Sequence, residues 1–215
     1  METTNRPLSG RRAQAARNDR RILEAARQVF VADPAAPIGA VAERAGVGMS
    51  ALYRRYPSKE ALLARLAGDG LRRYITEVEA ALADDGDPWA VFVGFMGRIV
   101  DADTHALVLR LAGTFTPTQD LYDDAERAQE LTVALLERAK AAGAVRADLD
   151  VNDLSFVFEQ VASVRLGDPD RTRQLRHRYL GLLLDGLHTP APGPLPGPPP
   201  TWKEVSGRWD RPANP

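Results

Sequence analysis

The chain has 215 residues, 44% of them hydrophobic, and its 28 Lys/Arg against 29 Asp/Glu leave a net charge of −1. That suffices for a buried core in one domain or two small ones, and the absence of cysteine excludes disulfides, thiolate metal sites and a cysteine nucleophile. No apolar run approaches the ~20 residues of a membrane span, and METTNRPLSGRR lacks the apolar core of a secretory signal, so a cytoplasmic protein without a membrane partner is expected.

The near-neutral total hides an asymmetry. Residues 1–66 carry 12 Lys/Arg and 6 Asp/Glu, whereas residues 67–215 carry 16 and 23. A basic first third fits a surface facing a polyanion; chance segregation of charge on solvated faces is the alternative.

Residues 1–15 are polar and Arg-rich, with Pro7 and Gly10, and read as a flexible basic arm. From about Asn18 a helical stripe begins, with Ile22, Ala26 and Phe30 at four-residue spacing. Pro34 and Pro37 end it. A short helix fits Ile38 to Ala45, followed by Gly46 as a turn residue. Another covers about Met49 to Tyr56 before Pro57 forces a break. Ser58 is a good N-cap for a long helix running to about Ala83, a rod of roughly 35–40 Å. DDGDP at 84–88 ends it, and further helices fit about 88–101, 103–113, 118–142, 151–165 and 170–187. No strand alternation or internal repeat stands out. After His188 the chain holds nine of its sixteen prolines, so residues 189–215 are expected to be an extended or disordered tail, although Trp202 and Trp209 are unusual for a pure spacer and offer a means of docking.

The informative stretch is IGAVAERAGVGMSALYRRYPSKEALL, residues 38–63. Two short amphipathic helices meet at Gly46, with small Ala42 where they must approach closely and Val47 and Leu52 locking the second onto the first. This is the pattern of a helix-turn-helix over about 37–56, whose second helix enters the DNA major groove. Its outward face carries Met49, Ser50, Tyr53 and Arg54, which suit base edges, sugars and phosphates, with Arg55 beside them. Tyr53 has a packing role as its alternative, and Tyr56, four residues after Leu52, reads as core. Lys59 puts a cation in the first turn of the long helix, against the macrodipole. A DNA phosphate bound there would remove the conflict; a lysine simply pointing into water is the other reading.

In combination ILEAARQVF, the AGV turn, the Leu52–Tyr53 pair and the Ser58–Lys59–Glu60 helix start resemble the TetR/AcrR family of repressors over roughly residues 16–74. The resemblance implies an all-α protein. A three-helix DNA-binding domain (16–74) would be joined by the long helix to a helical ligand-binding and dimerisation domain (75–188). It further implies a third helix that reads a palindromic operator as part of a homodimer, and phosphate contacts by Tyr53 and Lys59. The family's small polar residue opening the third helix is Gly48 here, and its frequent Gly is Ser50. Pro37 and Ile38 stand where a phosphate-binding Thr is common, a departure for which the basic arm (Arg11, Arg12, Arg17, Arg20) would compensate.

Residues 75–188 carry no motif. Trp89, Phe92, Phe95, Phe115, Tyr122, Phe156 and Phe158, with Met96, are either plain core or in part the lining of a cavity for a small apolar or aromatic effector. The candidate lining is Phe92, Phe95, Met96, His105, Phe115 and Phe158, and Arg110, Gln160 and Arg165 are further polar groups able to orient a ligand. The last two helices have broad apolar faces, Leu154, Val157, Phe158 and Val161 on one and Leu175, Tyr179, Leu182, Leu183 and Leu187 on the other. These either form a four-helix interface with a two-fold mate or bury internally.

The three histidines, His105, His177 and His188, have no ligand partner at i+4, and there is no phosphate loop or nucleophile motif. No catalytic residue, cofactor or metal is expected. A helical module that sets its basic third against another protein or an anionic membrane remains the rival to a regulator released from DNA by an effector.

Overall fold

The computed structural model describes residues 10–103, 111, 114–191 and 193–207. Nine helices run through them: α1 Gly10–Ala32, α2 Ile38–Ala45, α3 Met49–Arg55, α4 Lys59–Leu82, α5 Pro88–Ala102, α6 Gln119–Ala141, α7 Val151–Ser163, α8 Pro169–Leu187 and α9 Trp202–Ser206. Among the described residues there is no strand, only an isolated antiparallel bridge between Val145 and His188. Of the expected helix over 103–113 only Asp103 and Leu111 are described, and His105, Arg110 and Trp209 lie outside the described residues. No described helix is long and apolar enough to cross a membrane.

The chain divides into two compact units inside α4, between Leu66 and Ala67. The first is built on the predicted stripe. Ile22, Ala26 and Phe30 of α1 are buried with Val41, Ala42 and Ala45 of α2, Leu52 of α3 and Leu62, Leu63 and Leu66 of α4. Ser58 caps α4 as expected, its Oγ accepting from Ala61 N at 3.0 Å.

Two expectations need correction. The arm was expected to be flexible through residue 15, yet α1 already begins at Gly10. RRAQAAR is rich in good helix formers, and Gln14 links to Asn18 at 2.9 Å and to Arg17 at 2.7 Å along the exposed surface. Propensity extends the helix where no apolar stripe demanded one. The tail, expected to be extended or disordered from 189, has no helix among its described residues up to 200 but is fastened at Thr189, Gly193 and Leu195. Arg146, itself buried, forks onto Asp148 at 2.6 and 3.0 Å and donates to the carbonyls of Gly186 at 3.2 Å and Gly193 at 2.6 Å. Asp148 also accepts from Leu195 N at 2.7 Å. Beyond the prolines, α9 forms behind a capping box of Thr201 and Glu204 and packs against α7 with Trp202 half-buried.

The second unit closes around Phe92, Phe95, Met96, Ile99, Leu135, Leu136, Leu154, Phe158, Val161, Leu180 and Leu184. Tyr74, Phe95 and Phe158 meet edge to face, with ring centroids 5.6 to 6.5 Å apart. Thr132 Oγ1 donates to Ala128 O at 2.6 Å, so the Tyr74 hydroxyl, 3.0 Å from the same oxygen, is the donor in that pair. Burial raises the Tyr74 hydroxyl pKa to about 12. Arg138 closes the end of α4 by donating to the carbonyls of Ala81 and Leu82 at 2.7 and 2.9 Å.

Candidate nucleic-acid interface

The turn between α2 and α3 is a Schellman stop. Gly46 sits at φ 61°, ψ 41°. Its N–H reaches Glu43 O at 3.0 Å while Val47 N–H reaches Ala42 O at 3.0 Å. The left-handed φ favours glycine, and a Cβ there would lie 2.6 Å from Arg21 Nη2. Val47 leads through Gly48 straight into α3, so the two helices are held at a fixed offset.

On α3, Leu52 is completely buried and is the helix's one buried residue. Met49, Ser50, Tyr53 and Arg54 all face solvent, Met49 at 41% and Tyr53 at 46% exposure. The helical repeat puts these four on one face opposite Leu52, which is the outward face read from the sequence. Gly48 is the N-terminal residue before α3 and has open space where a Cβ would be.

Arg55 and Lys59 are engaged within the protein. Arg55 Nε and Nη2 donate to the two carboxylate oxygens of Asp19 on α1 at 2.6 and 3.1 Å, and Tyr56 OH donates to Asp19 Oδ1 at 2.7 Å. The Arg55 guanidinium holds the Asp19 carboxyl below its ordinary pKa against the opposing effect of burial, while burial and the adjacent carboxylate push the Tyr56 hydroxyl up. Tyr56 is core, 5% exposed. Lys59 Nζ donates to Pro34 O at 2.9 Å and Ala36 O at 2.8 Å and lies 5.1 Å from the Phe30 ring centroid. The sequence reading missed Asp19 altogether, because nothing in local spacing joins it to a residue 36 positions later.

In the second unit Phe92, Phe95 and Met96 are fully buried core, and Phe115 is 7% exposed. A cavity of about 10 Å³, room for about one water, lies between Ile99, Val100, Asp103, Phe158, Val161, Ala162 and Arg176. Of the expected lining residues it includes Phe158 alone. Arg176, 8% exposed, forms an ion pair with Asp103 at 2.7 Å and donates to the carbonyls of Val164 and Ala162 at 3.1 and 3.2 Å. Among the described residues no cluster of His, Asp and Glu is able to hold a metal ion.

The sequence matches two family models. Residues 22–66 match the bacterial regulatory proteins of the tetR family, and residues 87–189 match the C-terminal domain of SbtR-like transcriptional regulators. No curated protein matches. Among solved structures, a TetR transcription regulatory protein from Mycobacterium vanbaalenii is 32% identical with a TM-score of 0.56, covering 83% of this chain and 99% of that one. A TetR transcriptional regulator from Streptomyces coelicolor is 28% identical with a TM-score of 0.57, covering 81% and 99%. LfrR from Mycobacterium smegmatis, solved with proflavine, shares the fold at 24% identity and a TM-score of 0.60, covering 84% and 99%. With a helix-turn-helix in the first unit and a helical second unit matched by their own models, the chain belongs to the TetR family of DNA-binding transcriptional regulators.

Proposed function

We propose that the protein is a cytoplasmic, nucleoid-associated repressor without catalytic activity. It binds a palindromic operator as a homodimer and leaves it on binding a small apolar or aromatic effector. The DNA-binding domain comprises residues 16–74 and the effector and dimerisation domain residues 75–188. The observation that carries the reading is α3, with Leu52 turned in and Met49, Ser50, Tyr53 and Arg54 turned out, a helix of a size the major groove admits. Gly48 lets the backbone approach DNA closely, Tyr53 and Arg54 contact base edges and phosphates, and Arg55 and Lys59 lie at the rim. Support for dimerisation comes from α8, where Tyr179 and Leu182 are 45% and 59% exposed with half-buried Leu175 on the same face. The proflavine complex of LfrR supports the effector reading; the cavity beside Phe158 has room for about one water, so a ligand enters only if the core around Phe92, Phe95, Met96 and Phe115 repacks, and His105 belongs to the same candidate set. A ligand releases DNA only if it binds the DNA-free state more tightly than the bound one.

The test is titration of duplexes selected from a randomised pool, at graded salt. Selective binding with a steep salt slope is expected. Tyr53→Ala and Arg54→Ala should each weaken it about tenfold with the fold intact, Arg54→Ala also lowering the slope by about one. Binding that ignores sequence, or that both variants leave unchanged, overturns the reading.

A further inference from the structure

The carboxylate of Asp19 gathers three groups around the C-terminal end of α3, at the rim of the proposed DNA-contact face. Arg55, the last residue of α3, meets it with a two-pronged contact, and Tyr56, the residue that ends α3, donates its hydroxyl. Arg65 of α4 adds a second positive charge to the same neighbourhood. The Asp19 side chain is 16% exposed and that of Arg55 54%.

The mechanical setting makes this cluster consequential. α3 has seven residues, no side-chain N-cap and a single buried side chain, Leu52. With the Gly46 turn fixing its start and Leu52 its middle, the C-terminal end of this short helix is the part left free to move. A second anchor at the C-terminal end removes that freedom, and a forked arginine–carboxylate contact fixes direction as well as distance. Tyr53 and Arg54 lie between the two anchors.

We infer that Asp19 is the positioning residue of the recognition helix: by holding Arg55 and Tyr56 together it sets the angle at which α3 presents Met49, Ser50, Tyr53 and Arg54, and so governs discrimination between sequences more than overall attraction to DNA. The inference rests on the reading that α3 enters the groove. Asp19 itself carries a negative charge, which disfavours a phosphate nearby, so its contribution to DNA binding is through geometry. Its removal frees the Arg55 guanidinium for nonspecific phosphate contact.

The experiment uses the full-length protein and two probes, a duplex that the wild type selects from a randomised pool and a random-sequence duplex of equal length. For Asp19→Asn, affinity for the selected duplex should fall about tenfold, while affinity for the random duplex holds or rises and the salt slope grows by about one. Arg55→Lys keeps the charge but not the fork, so the ratio of the two affinities should fall without a change in slope. Tyr56→Phe should shift the ratio the same way by less. Circular dichroism checks folding, and if Asp19→Asn does not fold, the other two variants carry the test. An unchanged ratio in the folded variants, or equal losses on both duplexes, overturns the positioning role. A wild type that selects no sequence instead overturns the reading of α3 beneath it.

Discussion

Lys59, the first residue of α4, donates from Nζ to the carbonyl of Ala36 at 2.8 Å, just ahead of α2. A cation in the first turn of a helix opposes the macrodipole. Here two carbonyls from the preceding loop and the face of Phe30 stabilise it. The arrangement ties the α1–α2 loop to the start of α4, so the lysine has a packing role even before any phosphate arrives. Lys59→Ala should therefore lower the stability of the free protein by about 1–2 kcal/mol, read as a fall in Tm without DNA. An unchanged Tm would mean that the contact contributes nothing to the fold.

The exposed stripe of α8 makes a separate prediction. Leu182 is 59% exposed, whereas Leu187 is buried and Leu183 packs partly against the core. Leu182→Arg should convert a dimer into monomers at micromolar concentration with helical content retained, because it places an unpaired charge in an apolar interface. Analytical ultracentrifugation of the variant beside the wild type reads this directly. A variant that sediments like the wild-type dimer would move the interface elsewhere.

The Asp19 cluster also sets an acid limit. Arg55 holds the Asp19 carboxyl below the ordinary aspartate range, so the folded state binds its proton more weakly than the unfolded state does. Its stabilising contribution is complete above the unfolded pKa and is lost as pH falls through that value to the lower folded one. Asp148, lowered chiefly by Arg146, acts in the same direction. Tm measured against pH should therefore fall more steeply on the acid side in the wild type than in Asp19→Asn. Parallel curves would show that the pair adds no pH-dependent stability.

Arg146 fastens the C-terminal segment through Gly193 O and through Asp148, which holds Leu195 N. Arg146→Met keeps the apolar stem and removes the donors. Amide exchange at Leu195 should accelerate in this variant, together with exchange across residues 201–207, while the α5 core stays protected. Equal exchange in both proteins would mean that the segment is held by α9 alone.

Much of the first unit was legible in the chain because its signals are local. Pro57 and Ser58 set the break and the cap between α3 and α4, Gly46 supplies the left-handed turn, and four-residue spacing marked Ile22, Ala26 and Phe30 as core. The outward set of α3 followed from placing Leu52 inward on a helix of known repeat. Tertiary structure alone decided which cations are available. Arg55 and Lys59 look as exposed in sequence as Arg54, but partners at Asp19, Pro34 and Ala36, distant along the chain, engage them. It also placed Phe92, Phe95 and Met96 in solid core, with the cavity beside Phe158 and Arg176, a distinction that helical spacing does not carry because core and pocket linings share the same apolar period. The proline-rich tail is the sharpest case. Composition rules out continuing the α8 helix there, but the fastening at Gly193 comes from a buried arginine more than forty residues upstream, and long-range hydrogen bonds leave no mark on local composition.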